Sequence, residues 1–131
     1  MSKIPGAEKM AKTVLLVEDS PTQGLHLKTL MEQEGIHVIW AQDGESGVQL
    51  AQEQLPDLVV LDIQLPKMNG FQVCQQLKEM GQTADIPVIM LTRHDEAEAV
   101  VLGLQAGAID YIPKDAFASA VKPRTTASAS S

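Results

Sequence analysis

The sequence predicts a doubly wound α/β domain, a five-stranded parallel sheet with five flanking helices. Three observations carry that expectation. Short apolar, β-branched runs recur along the chain with no polar alternation, as strands buried on both faces require. Segments with apolar residues at helical spacing separate them. Most of the apolar runs stop abruptly at a polar or acidic residue. At 131 residues, 44% of them apolar, the chain suffices for one domain with one core. Aromatics make up only 3%, so that core is aliphatic.

The first strand is Thr13-Val14-Leu15-Leu16-Val17, ending at Glu18-Asp19. Ser20-Pro21 then supplies an N-cap and a first helical position. Leu27, Leu30 and Met31 form that helix's apolar face, and Gly35 suits a left-handed end. Ile36 to Ala41 is the second strand and Asp43-Gly44 reads as a turn. Val48, Ala51 and Leu55 mark the second helix, stopped by Pro56. Leu58 to Leu61 is the third strand, ending at Asp62. Val73, Cys74 and Leu77 line the third helix, which ends near Gly81. Pro87 to Leu91 is the fourth strand, ending at Thr92. Ala97, Val100, Val101 and Leu104 mark a fourth helix closed by Gly107. Ile109 to Ile112 is a short fifth strand, and Asp115 to about Val121 suits a short fifth helix. The alternation implies parallel βαβ units with right-handed crossovers, and the flavodoxin-like strand order 2-1-3-4-5 is the one expected. The expected division is an N-terminal extension over 1–12, a domain over 13–122 and a flexible Ser/Thr/Ala-rich tail over 123–131.

Charge and cysteine usage narrow the function classes. Lys and Arg total 10 against 17 Asp and Glu, a net charge of −7, which repels nucleic-acid backbones and favours a cationic partner. The one cysteine, Cys74, forms no intrachain disulfide and no zinc-ligand spacing, which fits a reducing cytoplasm. The N-terminal segment lacks the apolar stretch of a signal peptide, and no run is long enough to span a membrane.

In a doubly wound sheet, ligands bind beyond the carboxyl ends of the strands. Glu18, Asp19, Asp62 and Thr92 all fall there, with Lys114 just past the fifth strand. Two carboxylates about 4 Å apart repel by about 4 kcal/mol at an effective dielectric near 20, so such a cluster calls for a proton or a cation. Hard oxygen ligands with no His or Cys favour Mg²⁺, with Mn²⁺ as the alternative. Mg²⁺ retains waters and takes carboxylates together with a phosphate oxygen, so the cluster predicts a phosphoryl ligand as well. Asp62, ending the central strand, is the candidate nucleophile; Thr92 and Lys114 complement the charge of an in-line transfer.

Four segments resemble the receiver domains of two-component response regulators. Val17-Glu18-Asp19-Ser20 is similar to the family's acidic pair after the first strand, and Asp62 to Gly70 to its D-x-x-x-P-x-M-x-G loop. Met90-Leu91-Thr92 resembles the Thr/Ser signature of strand four, and Gly107 to Lys114 the G-A-x-D-Y-x-x-K segment. The resemblance covers roughly residues 13 to 121, and four motifs in order are far more specific than any one. It implies that Asp62 accepts a phosphoryl group from a histidine kinase or phosphotransfer protein. Asp19 and Asp62 would bind Mg²⁺ directly, Glu18 through water, and Gln64 through its backbone carbonyl. Thr92 and Lys114 would contact the phosphoryl group. Tyr111 would be the switch aromatic, and helix four, strand five and helix five the output face for a partner protein. Such a domain catalyses its own phosphorylation and dephosphorylation and is not an enzyme with a diffusing substrate.

Two residues depart from the family pattern. Arg93 stands where many receivers have a small residue, and Asp115 where many have Pro after the Lys; a trans bond is expected there. They sustain one rival reading, a receiver-like module that binds partners without phosphorylation. A Mg²⁺-dependent phosphatase of the haloacid dehalogenase type would need a second Asp where Gln64 stands, and a nucleotide or flavin module would need glycines in the acidic first loop. Elsewhere the plain readings prevail. His26 and His37 are expected at the surface, Cys74 in the core, Met68 in loop packing, and Gly70 at a helix start. His94 lies near the crevice mouth, and Trp40, at the end of strand two, lies away from the output face.

Overall fold

The computed structural model describes residues 12–92 and 105–113. In chain order they form β1 (Thr13–Val17), α1 (Pro21–Gln33), β2 (His37–Ala41), α2 (Gly44–Gln54), β3 (Leu58–Asp62), α3 (Gly70–Glu79), β4 (Val88–Thr92) and β5 (Asp110–Pro113). The strands make one parallel sheet in the order β2-β1-β3-β4-β5, the doubly wound arrangement the sequence predicts. The expected fourth and fifth helices, with Arg93, His94, Lys114 and Asp115, lie outside the described residues.

Both faces of the sheet are covered, which explains why the strands show no polar alternation. Successive side chains point to opposite faces. Leu15, Val17, Val59, Leu61, Val88 and Met90 pack with Val48 and Ala51 of α2 and Val73, Cys74 and Leu77 of α3. Val14, Leu16, Val38, Val60 and Leu91 pack on the other side with Leu27 and Met31 of α1. Complete burial of a Leu or Val side chain contributes about 1.5–3 kcal/mol, so these two layers dominate the stability.

The helix ends follow local chemistry. The Ser20 side chain accepts from the Gln23 N–H and Pro21 opens α1, while Gly35, at φ 85°, turns the chain after it. α3 starts with a capping box, in which Asn69 and Gln72 bond each other's backbone N–H.

Two local expectations are corrected. Asp43-Gly44 is the start of α2, not a turn: Asp43 is its N-cap, accepting from the Ser46 N–H at 2.8 Å. Asp-Gly suits both roles, and only the chain beyond decides between them. Leu55 does not continue the buried face of α2. It caps the helix in the left-handed region at φ 46° and is 53% exposed. The residue before a proline is pushed out of the helical region, so Pro56 ends the helix one residue earlier than its apolar spacing suggests.

Candidate metal and phosphoryl site at the carboxyl edge of the sheet

Parallel register sets the site. β1 and β3 are neighbours, Val17 pairing with Leu61, so Glu18 and Asp62 emerge side by side although 44 residues apart in sequence. One carboxylate oxygen each from Glu18, Asp19 and Asp62 forms a group whose atoms all lie within 4.8 Å of one another. Glu18 and Asp62 are buried and Asp19 is exposed, so the cluster opens to solvent through Asp19.

Backbone groups hold these side chains. The Ser20 N–H donates to Glu18 Oε2 at 3.1 Å, and the Gln64 N–H donates to Asp62 Oδ1 at 3.0 Å. The loop after Asp62 closes back on its own strand, the Gly70 N–H donating to the Ile63 carbonyl at 2.8 Å. A side chain at Gly70 would strike the Asp62 carbonyl oxygen and the Ile63 Cα. The glycine that the sequence places at a helix start is thus required by close approach to the Asp62 backbone.

Thr92 ends β4, buried, one residue beyond the Leu91 that pairs with Asp62. Tyr111 of β5 pairs with Met90 and is 40% exposed. Gln64 adjoins Asp62 through its N–H, as an exposed loop residue. Of the candidate residues, Glu18, Asp19, Asp62, Gln64 and Thr92 therefore stand at one sheet edge, Tyr111 lies on the strand beside β4, and Lys114 is outside the described residues. The donor set fits a hard divalent cation: it consists of carboxylate oxygens with no nitrogen or sulfur among them.

Trp40, expected only at the end of strand two and away from the output face, reaches the acidic cluster. Its indole N–H donates to the Glu18 carbonyl oxygen at 2.9 Å. The contact joins residues 22 apart and belongs to no motif. The sequence sign of it is a lone tryptophan near the end of a strand and a glycine, Gly24, in the first turn of the preceding helix, against which the ring lies.

A doubly wound sheet with clustered carboxylates at its switch point defines an acidic, cation-compatible α/β module. The chain belongs to the response regulator receiver domain family, whose sequence pattern it matches over residues 14–123. It is 42% identical over 101 residues to protein PilH of Pseudomonas aeruginosa, covering 77% of this chain and 84% of that one. It is 43% identical over 105 residues to the alkaline phosphatase synthesis transcriptional regulatory protein PhoP of Bacillus subtilis. That match covers 80% of this chain but only 43% of PhoP, so the similarity spans less than half of that regulator. The receiver domain of a signal transduction histidine kinase from Syntrophus aciditrophicus has the same fold, with TM-score 0.74 and 37% identity, covering 86% of this chain and 89% of that one. Receiver domains of this family bind a divalent metal at such an acidic cluster and work with histidine kinases in two-component signalling. Among the described residues, no helix is long and apolar enough to cross a membrane.

Proposed function

We propose that this receiver domain is a phosphorylation-controlled switch whose acceptor is Asp62. The observation that carries the reading is the convergence of Glu18, Asp19 and Asp62, with carboxylate oxygens within 4.8 Å, at the end of the central strand. The donor is the phosphohistidine of a histidine kinase or phosphotransfer protein. A carboxylate oxygen of Asp62 forms the new P–O bond as the P–N bond to the donor imidazole breaks, leaving an aspartyl phosphate and an imidazole that takes up a proton. Asp19 and Asp62, with Glu18 and the Gln64 carbonyl, would hold Mg²⁺ as the resident cation. When bound it neutralises charge on the transferring phosphoryl oxygens.

The remaining roles belong to the chain's own groups. The Gln64 N–H orients the Asp62 carboxylate, which supports in-line attack. Thr92 donates its hydroxyl to a phosphoryl oxygen and Lys114 supplies a positive charge. Movement of Thr92 toward the phosphoryl group draws Tyr111 inward from its half-exposed position, which changes the surface formed by helix four, β5 and helix five. A partner protein reads that surface. The domain catalyses its own phosphorylation and dephosphorylation, in the cytoplasm, and turns over no diffusing substrate.

Intact mass after incubation with acetyl phosphate tests the acceptor. A Mg²⁺-dependent phosphoryl adduct is expected in the wild type and none in Asp62→Asn. If neither acetyl phosphate nor a phosphorylated histidine kinase yields an adduct, the acceptor reading falls, and partner binding without phosphorylation takes its place.

A further inference from the structure

Glu18 is held by its backbone as well as its side chain. Its N–H donates to the Ala41 carbonyl at 3.0 Å, and its carbonyl accepts from the Trp40 indole N–H at 2.9 Å. The two peptide groups flanking the Glu18 Cα are therefore both fastened to the last two residues of β2. A peptide group is planar, so fixing the Glu18 carbonyl oxygen also fixes the plane that carries the Asp19 N–H and Cα. Asp19 is the exposed member of the acidic cluster, and it leaves the sheet on that peptide.

The same indole reaches α1. A Cβ on Gly24 would clash with the Trp40 ring atoms next to and including the indole nitrogen, so any other residue there would push aside the ring that meets the Glu18 carbonyl. The Gly24 N–H in turn donates to the Ser20 carbonyl at 2.8 Å. One side chain thus bears on both ends of the segment from Glu18 to Gly24, which carries two of the three clustered carboxylates.

We infer that Trp40 is a positioning residue for the cation pocket: its indole N–H, through the Glu18 carbonyl, holds Glu18 and Asp19 in the geometry that a divalent cation requires. The inference rests on the proposed binding of a divalent cation by Glu18, Asp19 and Asp62. Trp40 itself touches neither cation nor phosphoryl group. Because it is the only tryptophan in the chain, its emission reports the state of that loop.

The test uses the full chain and Mg²⁺. Calorimetric titration of the wild type and of Trp40→Phe, which keeps an aromatic ring but loses the donor, gives the two dissociation constants. The variant is expected to bind about fivefold more weakly, the effect of one neutral hydrogen bond. Urea unfolding of both proteins in EDTA separates lost positioning from lost fold. The unmutated protein provides a second readout that does not depend on how the variant folds. Its tryptophan emission is expected to change with Mg²⁺ along the calorimetric binding curve. Equal affinity in wild type and folded Trp40→Phe overturns the inference and leaves the cation pocket standing. Emission that stays constant while calorimetry saturates also overturns it. A wild type that binds no Mg²⁺ overturns the pocket and the inference together.

Discussion

Replacing Asp62 by Asn removes one of three negative charges whose oxygens lie within 4.8 Å of each other, so the metal-free protein should become more stable. At that distance a pair of charges repels by about 0.9 kcal/mol in bulk water and by about 3.5 kcal/mol at an effective dielectric of 20. The exposed Asp19 belongs near the first value and the buried Glu18 near the second, for a sum of about 4 kcal/mol. Asn retains an oxygen to accept the Gln64 N–H, but a neutral acceptor forms the weaker bond, at a cost of about 1 kcal/mol. Further relaxation of the open cluster leaves an expected gain of about 2 kcal/mol. In urea at low ionic strength with EDTA, that gain moves the unfolding midpoint upward by about 1 M. Saturating Mg²⁺ should stabilise the wild type and narrow or reverse the difference. A variant no more stable than the wild type in EDTA would refute the reasoning, since the carboxylates would then not repel in the folded state.

Gly70→Ala is expected to cost about 3 kcal/mol, because the added Cβ meets the backbone of Asp62 and Ile63, which cannot swing aside; urea unfolding measures it. Asp43→Ala removes the N-cap of α2 and should cost about 1 kcal/mol at neutral pH. The Ser46 N–H, and next the Ser46 side chain, hold the Asp43 carboxyl below its ordinary value of 3.8. A depressed folded value contributes stability that is fully present above 3.8 and is lost as pH falls through the folded value. The gap between wild type and variant should accordingly close on acidification, as unfolding curves at pH 7 and in acid will show.

The sheet was legible because burial on both faces strips the strands of polar residues, leaving runs such as Leu58–Leu61 that read as little else. The alternation of strands and helices pointed to a doubly wound parallel sheet, and in such a sheet Glu18, Asp19, Asp62 and Thr92 meet at the carboxyl edge. Errors arose where one residue pair serves two local structures. Asp43-Gly44 satisfies a turn or an N-cap, and Leu55 satisfies helical spacing although Pro56 forces it out of the helix. The β5 bounds, Asp110–Pro113, lie one residue later than expected: Ile109 was counted in for its apolar side chain, but it is 62% exposed and the ladder with β4 starts at Asp110. The contact of Trp40 with Glu18 was not foreseen for a different reason. Its bond goes to a backbone carbonyl, which every residue carries, so no residue type at the other end marks the contact. Backbone acceptors are set by tertiary register, and sequence patterns do not report them.

The parallel pairing of β1 with β3 has a consequence for how the chain matures. Neither strand holds the acidic cluster alone: Glu18 and Asp19 follow one, Asp62 ends the other, and β2, with both α1 and α2, intervenes in the chain. A chain that has formed its helices but not yet aligned these two strands has no acidic cluster. Under the function proposed above, a donor that requires the assembled site would therefore pass its signal to finished molecules and not to nascent or partly unfolded ones.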